Sequence, residues 1–184
     1  MSIPKTPKLF SRTVLFSFVV TISLAGWATA RPRTSRSIPV KSAPDQVSTI
    51  YTIKEAGLQF EVPKGWKVEK QDNGNVVLSV EDGAVTVTFL VEEKYEDVLT
   101  GMKSGLKEKV ADLKSDGEAK QDTHNGMVHI GETGTGSIKD APVIWSIDVL
   151  KANRPVIILT FGIKKVMEAH DDDYAKVVNS LKKI

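Results

Sequence analysis

Cysteine is absent from all 184 residues, so no disulfide can staple this chain and no lipid can be attached through a thiol. Stability has to come from a packed core. Past residue 30 there is also no long apolar run: charge interrupts each one well short of the roughly 20 residues a membrane span requires. Nor is there a surplus of positive charge. The chain has 25 Lys and Arg against 23 Asp and Glu, but Lys5, Lys8 and Arg12 fall in the first 30 residues; without them 22 basic residues face 23 acidic ones, a balance of −1. The pI of about 8.7 is therefore largely a property of the first 30 residues. Phosphate backbones are held by clustered Lys and Arg on one face, and nucleic acid is not an expected partner.

Those first 30 residues have three parts: a start with Lys5, Lys8 and Arg12, an apolar stretch over residues 14–27, and then Ala28-Thr29-Ala30. This is the form of a secretory signal peptide cleaved after Ala30. The apolar stretch is short for a span and is broken by Ser17, Thr21, Ser23 and Gly26, so cleavage is expected in preference to a retained anchor. Residues 31–50 are rich in Arg, Pro, Ser and Thr and too poor in large apolar side chains to offset the entropy of ordering, so a disordered basic linker is expected there. A flexible arm carrying Arg31, Arg33, Arg36 and Lys41 could touch anionic lipid or cell-wall polymer; a plain spacer is the simpler account. Residues 51–184 are expected to form one domain, long enough to bury about two-thirds of its unfolded surface.

Within that domain Leu58, Phe60 and Val62 alternate with polar residues, the period of a half-buried strand. Pro63-Lys64-Gly65 supplies a turn, and Asn73-Gly74 and Asp82-Gly83 are hairpin signals. Four antiparallel strands in a meander are expected up to Val91. The period then lengthens: Leu99, Met102, Leu106, Val110 and Leu113 predict an amphipathic helix over residues 95–113. Further strands are expected over residues 127–134, 143–150 and 156–163, the first preceded by Asn125-Gly126 and the first two separated by a glycine-rich loop. The last is apolar almost throughout and should lie mid-sheet. Asp171, Asp172 and Asp173 precede Tyr174, Val177, Val178 and Leu181 at helical spacing, with Lys182 and Lys183 expected in the final turn. Acids at the start of a helix and bases at its end complement its dipole, which gives the aspartates a structural role without a cation. The fold class is α+β: an antiparallel sheet of about 6–8 strands sandwiched by two main helices.

The three histidines, His124, His129 and His170, are the first candidates for chemistry. His124 and His129 are five apart, which in one extended strand puts them on opposite faces, and no metal site is expected unless the turn folds them together. Ser146 and Asp148 share a strand face. His129 joins them only if Val128 and Ile130 face the same side as Trp145 and Ile147, a matter of register. With no Gly-x-Ser-x-Gly elbow to expose the serine, a polar stripe is the simpler account and no catalytic residue is assigned. Gly131, Gly134 and Gly136 lack the strand-to-helix setting of a nucleotide loop and are expected to bend or bulge a strand. Trp66 and Trp145 are expected in the core, although either could line a pocket beneath the helices. No cofactor motif is present.

The segment GLQFEVPKGW ending at Trp66, the hairpin from Val143 to Gly162 and the closing YAKVVNSL ending at Leu181 resemble the PsbP-like group, which includes an extrinsic subunit of the oxygen-evolving complex and many exported bacterial proteins. That resemblance implies an antiparallel sheet sandwiched by helices and a role in binding other proteins without catalysis. It carries over no functional residue, because no functional motif matches. Two departures matter: a bacterial-type signal stands in place of a plastid transit sequence, and the lack of cysteine excludes the lipid anchor of some relatives. The expected function is that of an exported, non-enzymatic accessory or protein-binding domain of the bacterial envelope, periplasmic or secreted, whose partner is another envelope or secreted protein. The alternatives are a small-ligand binder with a pocket beneath the helices, or a hydrolase using Ser146, Asp148 and His129.

Overall fold

The computed structural model describes residues 48–184, so the expected signal peptide and nearly all of the expected linker lie outside the described residues. In chain order the elements are β1 (Thr49–Ile53), β2 (Leu58–Val62), β3 (Lys67–Lys70), β4 (Val76–Val80), β5 (Val85–Val91), α1 (Tyr95–Lys109), β6 (Ala111–Ser115) and β7 (Lys120–His124). Next come β8 (Met127–Ile138), β9 (Ala141–Lys151), β10 (Pro155–Ile163), α2 (Lys164–Ala169), α3 (Asp171–Ser180) and β11 (Lys182–Lys183). Eight strands form an antiparallel sheet in the order β3-β4-β5-β10-β9-β8-β6, with β7 pairing β8 off that path; β1, β2 and β11 form a second, three-stranded sheet. The architecture is the expected α+β sandwich. As its almost continuously apolar sequence leads one to expect, β10 lies in the middle of the large sheet.

Strand parity sorts the core into two layers. On one face Val85, Val87 and Phe89 of β5, Val156 and Ile158 of β10 and Leu150 of β9 pack against Ile53, Leu58 and Phe60 of the small sheet and Val177 of α3. On the other, Leu90, Trp145, Ile147, Val149, Ile157 and Leu159 pack under Met102 of α1, with Val98, Leu99 and Leu106 beside it. Phe60 stacks on Phe89 between the sheets, their ring centroids 4.5 Å apart and nearly parallel. Lys103 of α1 pairs with Glu132 of β8. That lysine holds the Glu132 carboxyl below its usual range against the opposing pull of burial.

Four expectations are corrected. The meander has three strands, because β2 belongs to the small sheet. Gly65, at φ 84°, and the bond from Trp66 N–H to the Pro63 carbonyl (3.2 Å) turn the chain between the two sheets. An apolar stripe tells which side is buried and not which sheet owns it. The first helix ends at Lys109: Val110 is extended and Asp112 has φ 50°, so Leu113 reaches the same core layer from β6. The glycine-rich segment is the interior of a twelve-residue strand, β8, and the turn is made by Lys139 and Asp140, both with positive φ. Gly134 sits under the Trp145 indole, where a side chain would collide with the ring. Lastly, α3 ends at Ser180, and Lys182 and Lys183 pair with β2 as a short strand instead of closing the helix.

Candidate functional site

Two hairpins set the geometry of the polar cluster on the α3 side of the sheet. The turn at Asn125 and Gly126 (φ 48° and 78°) has the positive φ that a two-residue hairpin needs, and it pairs His124 with Met127 and Asp122 with His129. The turn at Lys139 and Asp140 pairs His129 with Leu150, Gly131 with Asp148 and Thr133 with Ser146. His129 and Asp148 are thus diagonal neighbours on one face, with Gly131 between them. A side chain at Gly131 would run into both the Asp148 carboxylate and the His129 ring; the glycine leaves the space in which they meet.

They do meet. His129 Nε2–H donates to Asp148 Oδ1 (2.9 Å), His129 Nδ1–H donates to Asp122 Oδ1 (2.8 Å), and the Ser146 hydroxyl donates to Asp148 Oδ2 (2.8 Å). The register condition that brings Ser146, Asp148 and His129 together is therefore met, but the order along the chain of bonds is serine, aspartate, histidine, aspartate. In a hydrolase the imidazole lies between the hydroxyl it deprotonates and the carboxylate that orients it. Here Asp148 stands in that middle place, and both nitrogens of His129 point at carboxylates. Carboxylates only accept hydrogen bonds, so both contacts can be hydrogen bonds at once only when the ring is protonated. In that form the imidazolium has no lone pair with which to take a proton. Burial alone would lower the proton affinity of His129, but the bonds to Asp148 and Asp122 and their charges outweigh it and raise the pKa above the ordinary 6.5. Ser146 is buried at 7% exposure.

The same hairpin grips α3. His124 Nε2–H donates to the Val178 carbonyl (2.7 Å), and Asn125 Nδ2 donates to the carbonyls of Asn179 (3.0 Å) and Leu181 (2.7 Å). The Val178 carbonyl also accepts the Leu181 N–H (3.2 Å), whereas Asn179 and Leu181 lie where a helix runs out of backbone donors of its own, so the hairpin tip completes the cap of the helix. Asn125→Ala removes both amide bonds and places alanine at φ 48°, a left-handed conformation that asparagine tolerates better than alanine does. The expected loss is about 2 kcal/mol, measured as a lower urea midpoint with an unchanged slope.

His124 and His129 do come together, their ring centroids 6.5 Å apart, because the turn folds one strand back on the other. That corrects the opposite-face expectation, which held for a single strand. Even so, among the described residues no group of three His, Asp or Glu side chains is placed to hold a metal ion. His170 is elsewhere, bonded to Glu81 (3.0 Å) and close to Asp173 (3.6 Å). Between the cluster and α3 lies a cavity of about 80 Å³, lined by His124, His129, Asp148 and Tyr174 at its polar end and by Phe89 and Val177 among its apolar walls. Burial pushes the Tyr174 hydroxyl up, while its bond with the Thr160 hydroxyl (3.2 Å) pulls the other way. Neither Trp66 nor Trp145 lines this cavity. At 7% and 3% exposure, both are core.

The fold is shared with a PsbP protein. The solution structure of cyanobacterial PsbP (CyanoP) from Synechocystis superposes with a TM-score of 0.54 at 11% identity, covering 77% of this chain and 96% of that one. Two weaker likenesses are a Pseudomonas aeruginosa protein of unknown function described as a putative regulator and LpqN of Mycobacterium tuberculosis, involved in cell envelope biogenesis. The first has a TM-score of 0.45 at 10% identity, over 72% of this chain and 94% of that one. The second has a TM-score of 0.45 at 11% identity, over 76% and 86%. No family model and no curated protein matches the chain. At these identities the likeness is one of fold.

Asp122 and Tyr174 belong to the cluster and were not singled out from the sequence. For Asp122 the signal was present: counting outward from the two turn residues pairs it directly with His129. For Tyr174 there was none, since helical spacing marks an apolar face and not which sheet residue a hydroxyl will reach.

Proposed function

We propose that this chain is an exported, non-enzymatic accessory domain of the bacterial envelope, periplasmic or secreted, that works by binding another envelope or secreted protein. The observation that carries this reading is the closed set of bonds among Ser146, Asp148, His129 and Asp122. The groups that could have done acid–base or nucleophilic work are committed to one another as a brace between strands. The fold shared with CyanoP supports the same reading, as does the signal-type start of the sequence. Among the described residues no helix is long and apolar enough to cross a membrane.

The size of the enclosed cavity favours this reading over a metabolite bound beneath the helices. Small-molecule pockets run from about 300 Å³ upward, and the cavity under α3 is about 80 Å³. The larger hollow, about 590 Å³, is an open groove on the surface, bordered by Ile50, Phe60, Glu61, Asn125, Asn179 and Lys182. Its mixed lining and openness suit a segment of another protein better than a buried ligand.

The test is crosslinking of the full chain in an envelope extract, alongside the same chain carrying Ile50→Asp and Glu61→Lys. The expected result is one protein captured saturably by the first and several-fold less by the second. Equal capture by both, or none, counts against the groove and the binding role. Ester or amide hydrolysis by the purified chain that vanishes in Ser146→Ala would overturn the non-enzymatic part.

A further inference from the structure

We propose that the β7–β8 hairpin is a proton-controlled latch on α3: with His129 doubly protonated it holds the C-terminal end of the helix against the sheet, and loss of one proton releases it. The geometry points there from three directions. His129 bridges two strands, with a ring nitrogen on Asp122 of β7 and the other on Asp148 of β9. Among the described strands β7 pairs with β8 alone, off the path of the sheet, and its residues are largely exposed. The tip of the same hairpin, through His124 and Asn125, supplies side-chain bonds to the C-terminal end of α3. A strand with one neighbour loosens more readily than one paired on both sides, and this one carries the hairpin's share of the grip on the helix, beside the bond from Glu61 N–H to the Ser180 hydroxyl (2.8 Å) on the small-sheet side.

A neutral imidazole has one N–H, so one of its two carboxylate contacts must become a lone pair facing a negative oxygen. Exposure decides which. The Asp148 side chain is 16% exposed and also holds Ser146, whereas Asp122 is 66% exposed and can turn to water. Neutral His129 therefore keeps Asp148 and lets Asp122 go. The titratable groups around His129 are Asp122 and His124 on β7, Asp148 on β9 and Tyr174 on α3, with Asp171 of α3 acting on Tyr174 at longer range. β5, whose Val87 and Phe89 line the same cavity, presents no ionisable side chain there. The sign follows from the raised folded pKa: the stabilisation is complete below about 6.5 and is lost as pH rises through the folded value. Release would expose the polar end of the cavity beneath α3 and the helix terminus next to the open groove, which Asn125 also borders.

Hydrogen exchange on the full chain tests this, followed by mass spectrometry from about pH 5 to about pH 9 and corrected for intrinsic rates, the span that brackets an elevated histidine. The expected result is several-fold loss of protection in β7 and in the last turn of α3, while β10 stays protected. The midpoint should coincide with the His129 titration seen by NMR. Asp122→Asn should keep protection high at alkaline pH, because an asparagine amide can donate to the bare Nδ1. His129→Gln should flatten the profile. Wild-type protection independent of pH would overturn the latch. So would a step unchanged in Asp122→Asn, or β10 losing protection together with α3, which marks general unfolding.

Discussion

Phe89→Ala is expected to be the most damaging single substitution in the described domain. Phe89 is 1% exposed on β5, next to the central strand, and its ring is stacked on Phe60 of the small sheet. Truncation removes the transfer free energy of the ring and leaves a void between two sheets, which the strand ladders on either side keep from collapsing. Losses for buried Phe→Ala run about 3–5 kcal/mol, against a total of about 5–15 for a typical domain. Urea denaturation should show a midpoint reduced by a third or more, or a chain unfolded without denaturant. A loss below about 1 kcal/mol would mean that the small sheet does not pack on the large one as described.

Asp148→Ala is expected to rank second, at about 2–4 kcal/mol near pH 6. Asp148 accepts from both Ser146 and His129, so its removal strands a buried hydroxyl and deprives a half-buried cation of its inner partner. Asp148→Asn separates charge from shape: the amide can still meet both neighbours, so the loss should be about half as large. The His129 titration should move back toward the ordinary histidine range in either variant, because the charge and hydrogen bond of Asp148 are among the causes that raise it. NMR of the His129 ring reads this directly. An unmoved titration would show that Asp148 does not hold the ring.

Much of the fold was legible because period and turn chemistry are local. The apolar run of β10 marked the central strand, Asn125-Gly126 marked a hairpin, and the aspartates before Tyr174 marked the start of α3. What could not be read depends on longer range. Nothing in Leu58, Phe60 and Val62 distinguishes a strand that extends the large sheet from one that lies on its face. Lys139 and Asp140 make the tightest turn of the β8–β9 hairpin without a glycine, so the glycines before them drew the eye to a loop that is strand. The spacing of Leu106, Val110 and Leu113 runs across a real helix end, because Leu106 and Leu113 pack on the same core layer and Val110 between them is buried, whether the backbone is helical or extended.

The candidate site was half legible in the same sense. Parity put Ser146, Asp148 and His129 on one side once the register was known, and the register follows from the turns. The order of the bonds does not follow. It depends on the space left by Gly131, on Asp122 arriving from the neighbouring strand, and on rotamers that pattern cannot specify. That order separates a brace from a hydrolytic triad, and the functional conclusion turns on it.

The most direct measurement is a double-mutant cycle between His129 and Asp148, read by urea unfolding of the wild type, His129→Ala, Asp148→Ala and the double variant at about pH 6 and again at about pH 9. A cationic brace predicts a favourable coupling of about 1–2 kcal/mol at the lower pH that shrinks at the higher one. A coupling of zero at both, or one that does not change with pH, would contradict it.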